Sequence, residues 1–312
     1  MPRISKPICA VKPISKGNQP TDGGHLILSP EERESFLLKH PEASFLIKRL
    51  IGAREFLQGQ KRYCLWLVNI PPNIIRSYPF VMDRVEKCRK FRAEEGVAGD
   101  TIALAATPTV FRETRNPASY VVLPSVSSER RNYIPFGFES SDTIATNLCL
   151  VIDDAGLFEF GCLSSIMHMA WVRAVCGRLE SRYRYSAGIV YNNFPWLTLP
   201  VRGELVEPQQ AVNASTGSAR AVKNIEAAAQ AVLDARAVHT NASLADLYDP
   251  LTMPANLLKA HQVLDKAVDA AYGYKGAATD AARVAFLFER YQQITSLLPA
   301  VKSKTKSKKP RN

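Results

Sequence analysis

The sequence predicts an α+β protein, with a mixed α/β domain over residues 1–200 followed by an α-helical bundle over residues 222–300. Three observations carry this expectation. Short β-branched and aromatic runs bounded by Pro, Asn or Asp recur before residue 200. Amphipathic helical periods lie between those runs. After Pro200 the composition turns Ala- and Leu-rich, with three successive helical periods. At 312 residues, 46% hydrophobic and 22% charged, the chain is globular in composition and has room for about two domains.

In chain order, KRYCLWLV (61–68), ASYVVLPSV (118–126) and TNLCLVI (146–152) read as strands. FVMDRVEKCRKFR (80–92) sets Val81, Val85, Cys88 and Phe91 at three- and four-residue steps. That spacing predicts a helix whose outer face carries Arg84, Lys87, Lys90 and Arg92. A second helix is expected over residues 164–179, with Ile166, Ala170, Val175 and Leu179 among its apolar positions.

Residues 201–221 lack sustained periodicity and are rich in small and turn-forming residues, so they read as an inserted loop or linker. VRGELVEPQQAVNASTGSAR (201–220) also resembles the translated product of a mobile intergenic repeat, which a surface loop tolerates because closure cost grows slowly with length. The bundle follows. Its periods are Val222, Ile225, Ala229 and Val232; then Leu257, His261, Leu264 and Val268, behind Thr252 and Pro254; then Val284, Leu287, Tyr291, Ile294 and Leu298, after Thr279. Residues 301–312 read as a basic, disordered tail.

The formal net charge is +11. Residues 302–312 hold six of the forty Lys and Arg and no acid, and the chain without them is still basic. Cys9, Cys64, Cys88, Cys149, Cys162 and Cys176 form no C-x-x-C pair and mostly sit in apolar company, which predicts buried free thiols in a reducing compartment. The basic start lacks the continuous apolar core of a signal peptide, and no stretch approaches the ~18 apolar residues of a membrane span. A soluble, cytoplasmic protein without membrane contact is expected.

The motifs of phosphate-binding loops, dinucleotide folds, zinc proteases and serine hydrolases are absent, so no catalytic residue and no metal ligand is assigned. The five histidines (25, 40, 168, 239, 261) are dispersed, and His261 lies on an apolar helix face as a core histidine does. Asn69-Ile70-Pro71-Pro72-Asn73 superficially matches the Asn-Pro-Pro-aromatic motif of adenine methyltransferases. Ile70 intervenes and Asn73 replaces the base-stacking aromatic, so it is rejected.

Two basic-aromatic segments remain. SSERRNY (127–133) places Ser127, Ser128, Arg130 and Arg131 just after a predicted strand. GRLESRYRYS (177–186) alternates Arg178, Glu180, Arg182 and Arg184 with Tyr183 and Tyr185. In an extended chain 180, 182 and 184 point one way and the tyrosines the other. Arginine forks suit guanine edges or phosphates, and a carboxylate accepts from the cytosine amino group. A solvated, salt-bridged strand has the same composition and is the commoner outcome, so composition alone leaves both readings open.

From about Lys6 to Leu298 the chain resembles the C-terminal portion of the MmeI-like family of bacterial restriction–modification enzymes. The resemblance rests on DGGHLILS (22–29), GAREFLQGQKRYCLWLV (52–68), PFVMDRVEKCRKFR (79–92), SSERRNYIP (127–135), HMAWVRAVCGRLESRYRYS (168–186), VYNNFPW (190–196) and SLADLYDPLTMP (243–254). Members of that family resemble one polypeptide carrying a nuclease, an adenine-specific methyltransferase using S-adenosylmethionine, a target recognition domain and a helical C-terminus. This chain corresponds to the last two parts and is expected to be a remnant or one half of a split enzyme.

The resemblance implies Glu180, Arg182 and Arg184 as base readers, with Leu148 a weaker candidate. By residue type Arg130, Arg131, Ser127, Ser128 and Arg178 are expected on the DNA backbone. The implied partners are double-stranded DNA and a separately encoded methyltransferase or nuclease, which would hold the S-adenosylmethionine; this chain is expected to bind no cofactor. Two rival expectations are a methyltransferase subunit, stand-alone or active with a partner chain, with an unrecognised site, and an interaction remnant that binds no DNA.

Overall fold

The computed structural model describes residues 1–94, 98–197 and 208–296, with side chains from residue 217 onward in the last stretch. In chain order the strands are β1 (Ile14–Lys16), β2 (Ile27–Leu28), β3 (Ile47–Ile51), β4 (Tyr63–Leu65), β5 (Ser119–Pro124), β6 (Val126–Ser127), β7 (Gly137–Ser140), β8 (Thr143–Ala145), β9 (Cys149–Asp153), β10 (Gly177–Leu179) and β11 (Arg182–Arg184). The helices are α1 (Pro30–Lys39), α2 (Ala53–Gln58), α3 (Pro72–Arg76), α4 (Pro79–Ala93), α5 (Gly99–Ala103), α6 (Leu157–Leu163), α7 (Ile166–Val175), α8 (Pro208–Ala237), α9 (Leu244–Leu247), α10 (Ala255–Tyr272) and α11 (Asp280–Ser296). None of the described helices is long and apolar enough to cross a membrane.

The strands form three sheets, in the orders β1-β9-β5-β7, β2-β4-β3-β8 and β10-β11-β6. In the first, β5 is apolar on both faces for a packing reason. Val121 and Leu123 join Leu150 and Ile152 in the core under the helices, while Tyr120 and Val122 meet Phe56 of α2 on the other side. The second sheet packs with α1 and α4 around Leu28, Phe36, Cys64, Val81, Val85 and Cys88. All six cysteines are free, and all but the half-buried Cys9 are buried.

Arg92 departs from the expected outer face of α4, whose Lys87 and Lys90 are exposed. It is fully buried, and its guanidinium donates to the carbonyls of Pro20, Thr21, Leu104, Thr107 and Val110 at 2.7–3.1 Å. A guanidinium has five N–H donors, so every carbonyl is matched by one of them. The side chain thus fastens two loops that helical periodicity cannot register.

The helix expected over 164–179 ends at Val175, capped at its start by Ser165, whose hydroxyl accepts from the His168 amide. Cys176 is already extended, and Gly177–Leu179 becomes β10 because it pairs with β11. The expected loop at 201–221 is helical from Pro208, where α8 begins. Its first part, residues 201–207, and the tail at 301–312 lie outside the described residues.

The three expected C-terminal helices form, and Thr279 caps α11 through the Ala282 amide. They make the expected C-terminal helical region, and its core is continuous with that of the preceding domain. Ile225, Ala229, Leu257, Leu264 and Leu287 share one core with Phe160, Trp171 and Phe194, so α6 and α7 serve as the missing walls. At Gly161 the packing is so close that an added Cβ would sit 2.7 Å from Ile225.

Candidate nucleic-acid interface

The sheet β10-β11-β6 unites the two basic-aromatic segments. Within the hairpin Gly177 faces Arg184, Arg178 faces Tyr183, and Leu179 faces Arg182; β11 then pairs Tyr183 with Ser127 and Arg184 with Val126. Directly opposed residues share a face. One row is therefore Arg178, Tyr183 and Ser127, and it turns toward the protein at Tyr183 and Ser127, which are 4% and 3% exposed. The opposite face carries Leu179, Arg182 and Arg184, all exposed.

Glu180 occupies the turn between the strands with φ 56°, so the alternation expected for 180, 182 and 184 holds only for the two arginines. Its carboxylate still reaches the same side, accepting from Arg182 Nη2 at 2.7 Å. Both side chains are solvent-facing, at 76% and 46% exposure. Left-handed backbone at a non-glycine residue is a strained choice of the kind that recurs at functional sites.

The inner row anchors this display. Tyr185 is buried and its hydroxyl meets His168 Nε2 at 3.0 Å. Burial drives the His168 ring down to about 3, so it stays neutral. Arg178 stacks on Tyr183 at 3.9 Å and donates to the Ser181 carbonyl. Asn192 and Asn193 of the following segment donate to Ile4 O and Pro2 O, tying the first residues of the chain to it.

The 127–133 loop is held from the helical side. Tyr133 stacks on His261 at 4.0 Å and donates to Asp265 Oδ2 at 2.6 Å, while Asp265 Oδ1 accepts from the Ile166 amide. Burial pushes the Asp265 carboxyl up to about 6, against the downward pull of those two hydrogen bonds. His261 is buried as its spacing predicts, meets the Tyr248 hydroxyl at 2.8 Å, and is driven down to about 3 by desolvation.

The expected backbone-contacting set is divided by this geometry. Arg130 and Arg178 are exposed, and Ser128 is half-buried with its hydroxyl accepting from the Arg130 amide. Ser127 is buried under β11 and accepts from Arg131 Nη1 at 3.2 Å, so it is a strut beneath the loop and not a surface contact. Arg131 is half-buried, and desolvation lowers its guanidinium below the usual value. Asp249 lies 3.8 Å from Arg130 and attenuates its charge from the helical side.

Leu148 is 54% exposed just before β9. Its carbonyl accepts from Ser125, whose own carbonyl accepts from the Tyr185 amide, so Leu148 adjoins the Arg184 end of the hairpin. Sequence reasoning missed Leu179 and the supports Asp249, Tyr133 and Asp265. Leu179 had been placed on the apolar side of a helix; the glycine before Arg178 was the one local signal of a break.

Among the described residues no group of three or more His, Cys, Asp and Glu converges as a metal site. An open trough of about 640 Å³ between α8 and α10 is lined chiefly by alanines, away from the hairpin, and gathers no catalytic groups.

The family model of the MmeI target recognition domain matches residues 2–198, and that of the MmeI C-terminal domain matches residues 217–299. DNA methyltransferase A of Bacillus subtilis (strain 168) is 40% identical over 292 residues, covering 93% of this chain and 31% of that protein. A solved structure of the Type IIL restriction-modification enzyme MmeI in complex with DNA is 43% identical with a TM-score of 0.84, over 95% of this chain and 37% of that one. The chain thus spans about a third of the length of these relatives. With the recognition-domain model matched over most of its length and the C-terminal model over the rest of the fold, the chain belongs to the MmeI target recognition domain family.

Proposed function

We propose that the chain is the sequence-specific DNA recognition module of an MmeI-like restriction–modification system. The observation that carries this is the solvent-facing set of Glu180, Arg182 and Arg184 on a hairpin whose other face is locked into the core. A two-stranded ribbon fits the major groove. Arg182 and Arg184, two residues apart on one strand, are about 6.6 Å apart along it, close to two base steps of ~3.4 Å each. Their forks suit guanine O6 and N7, and Glu180 suits a cytosine amino group. Arg130 serves as a phosphate contact beside this row and Arg178 as one from the other face of the ribbon, with Arg131 behind Arg130 and Leu148 as an apolar contact at the Arg184 end.

This module supplies the address. In our reading the methyl transfer from S-adenosylmethionine to adenine belongs to a methyltransferase part outside these residues, on a separately encoded polypeptide. The chain has neither a glycine-rich cofactor loop nor an intact Asn-Pro-Pro-aromatic motif, so its residues do not fit that cofactor.

The test is selection of bound duplexes from a random pool, followed by salt titration of the winner against a scrambled duplex. Phosphate contacts make log K fall linearly with log salt on both duplexes. Arg184→Ala is expected to weaken the selected duplex about ten-fold or more and leave the scrambled one unchanged. Arg130→Ala is expected to weaken both alike. No enrichment from the pool, or equal losses on both duplexes for Arg184→Ala, would falsify the assignment.

A further inference from the structure

We propose that Leu179 reads the 5-methyl group of a pyrimidine next to the base that Arg182 contacts. The inference rests on the recognition function proposed above and adds a feature of the target itself.

Leu179 ends β10, the edge strand of its sheet, directly opposite Arg182. Opposed residues share a face with Cβ atoms about 4.5–5.5 Å apart. With Arg182 and Arg184 spaced along the groove, this offset runs across it, so a side chain there meets a base on the opposite strand beside the one that Arg182 reads.

Leu179 is 41% exposed, an apolar side chain held at the tip of a hairpin whose neighbours are charged. Its other neighbours in the hairpin leave room beside it, because Glu180 is drawn to Arg182. Arg178 is turned to the other face, stacked on Tyr183. Gly177, opposite Arg184, brings no side chain at all. The outward face is thus two guanidiniums, the Glu180 carboxylate paired with one of them, and one aliphatic group beside them.

In the major groove the four bases offer donors and acceptors, and a single apolar feature, the thymine C5 methyl. 5-Methylcytosine carries the same group at the same place. Leucine matches that group by chemistry and matches no other base edge.

The experiment uses the full chain and the duplex selected from the random pool. Each thymine of the site is replaced in turn by deoxyuridine, and each cytosine by 5-methylcytosine, and affinities are measured for the parent, Leu179→Ala and Leu179→Met. At one thymine the parent is expected to lose affinity about four-fold on deoxyuridine, the ~0.8 kcal/mol of one buried methyl. Leu179→Ala binds the thymine duplex equally weakly and is indifferent to deoxyuridine at that position, while Leu179→Met retains most of the sensitivity. If 5-methylation of one cytosine tightens the parent and not Leu179→Ala, the same assignment holds with a methylated cytosine as the target.

Two results overturn the proposal: no position at which the parent senses the methyl, or a methyl effect that persists unchanged in Leu179→Ala. Because Leu179 lies on the surface, its variants fold as the parent does, and the Arg184→Ala discrimination serves as the separate readout of recognition. Loss of all sequence preference in the parent sinks the recognition function itself, whereas preference without methyl sensitivity sinks only the role of Leu179.

Discussion

Replacing Glu180 by glycine separates what this residue does for the fold from what it does at the surface. Glu180 holds φ 56° at the first position of the two-residue turn, where glycine is the unstrained choice. Left-handed backbone costs an L-residue about 1–2 kcal/mol, and glycine returns about 0.5–1 kcal/mol of that through the extra freedom of the unfolded chain. The variant also loses the 2.7 Å pair with Arg182, which at 76% and 46% exposure is worth about 0–1 kcal/mol. These terms nearly cancel, so Glu180→Gly should unfold within about 1 kcal/mol of the parent in urea. Its discrimination between selected and scrambled duplexes should fall by about 1–3 kcal/mol, since the carboxylate acceptor is gone. Glu180→Ala keeps the strain and loses the acceptor, so it should discriminate as poorly as glycine and be less stable by about 1 kcal/mol. A stability loss above about 2 kcal/mol for glycine would make Glu180 a structural residue. Unchanged discrimination would remove it from the base-reading set.

Other expectations follow from the interior. Arg92→Leu strands the carbonyls of Pro20, Thr21, Leu104, Thr107 and Val110, and should cost about 3 kcal/mol or more by urea unfolding; a loss under about 1 kcal/mol would show that water replaces the guanidinium freely. Asp265 is raised from 3.8 to about 6, so its ionisation is disfavoured in the folded state, and its contribution to stability declines as pH rises from about 4 to about 6 and is level above. Asp265→Asn should lack that decline, so the parent-minus-variant difference in urea midpoints should itself fall as pH rises across this range. His168 and His261, driven to about 3, should keep neutral rings in the folded protein from about pH 5 to 8, checked by following their ring signals by NMR; because unfolded histidine titrates near 6.5, both add stability as pH rises from about 3 to about 6.5.

The parts legible in the sequence are those governed by a local period. The strands at 61–68, 118–126 and 146–152 and the stripes of α4, α10 and α11 follow from alternation and three- or four-residue spacing. What periodicity could not give was set by long-range partners. Arg92 looked like a solvated helix cation because its carbonyl acceptors come from residues 12 to 72 positions away. Gly177–Leu179 looked like the end of a helix because the strand that claims it lies beyond the turn. The C-terminal bundle was legible from its three periods, but not that it shares its core with α6 and α7, whose apolar faces a reading of residues 222–300 alone cannot see. At the site, residue types identified the outward cations, but Ser127 and Arg131 were sorted into supports only by burial.

That division between supports and display has a consequence for how such a module changes its target. Tyr183, Tyr185, Ser127, His168, Tyr133 and Asp265 all make contacts that the interior requires, so replacing them alters folding before it alters recognition. Leu179, Arg182, Arg184 and Leu148 are exposed and mostly contact solvent, so surface substitutions there should stay within about 0.5 kcal/mol in stability. The two sets alternate residue by residue along β11, so under the proposed function a sequence that reads new bases should differ from this one at every second position. Exchanging Arg182 and Arg184 together for other polar residues, with Tyr183 and Tyr185 kept, should therefore give a folded chain with a changed preference. Exchanging the tyrosines with the arginines kept should give an unstable one, and the pair of unfolding and duplex-selection experiments decides whether fold and address are separable on this strand.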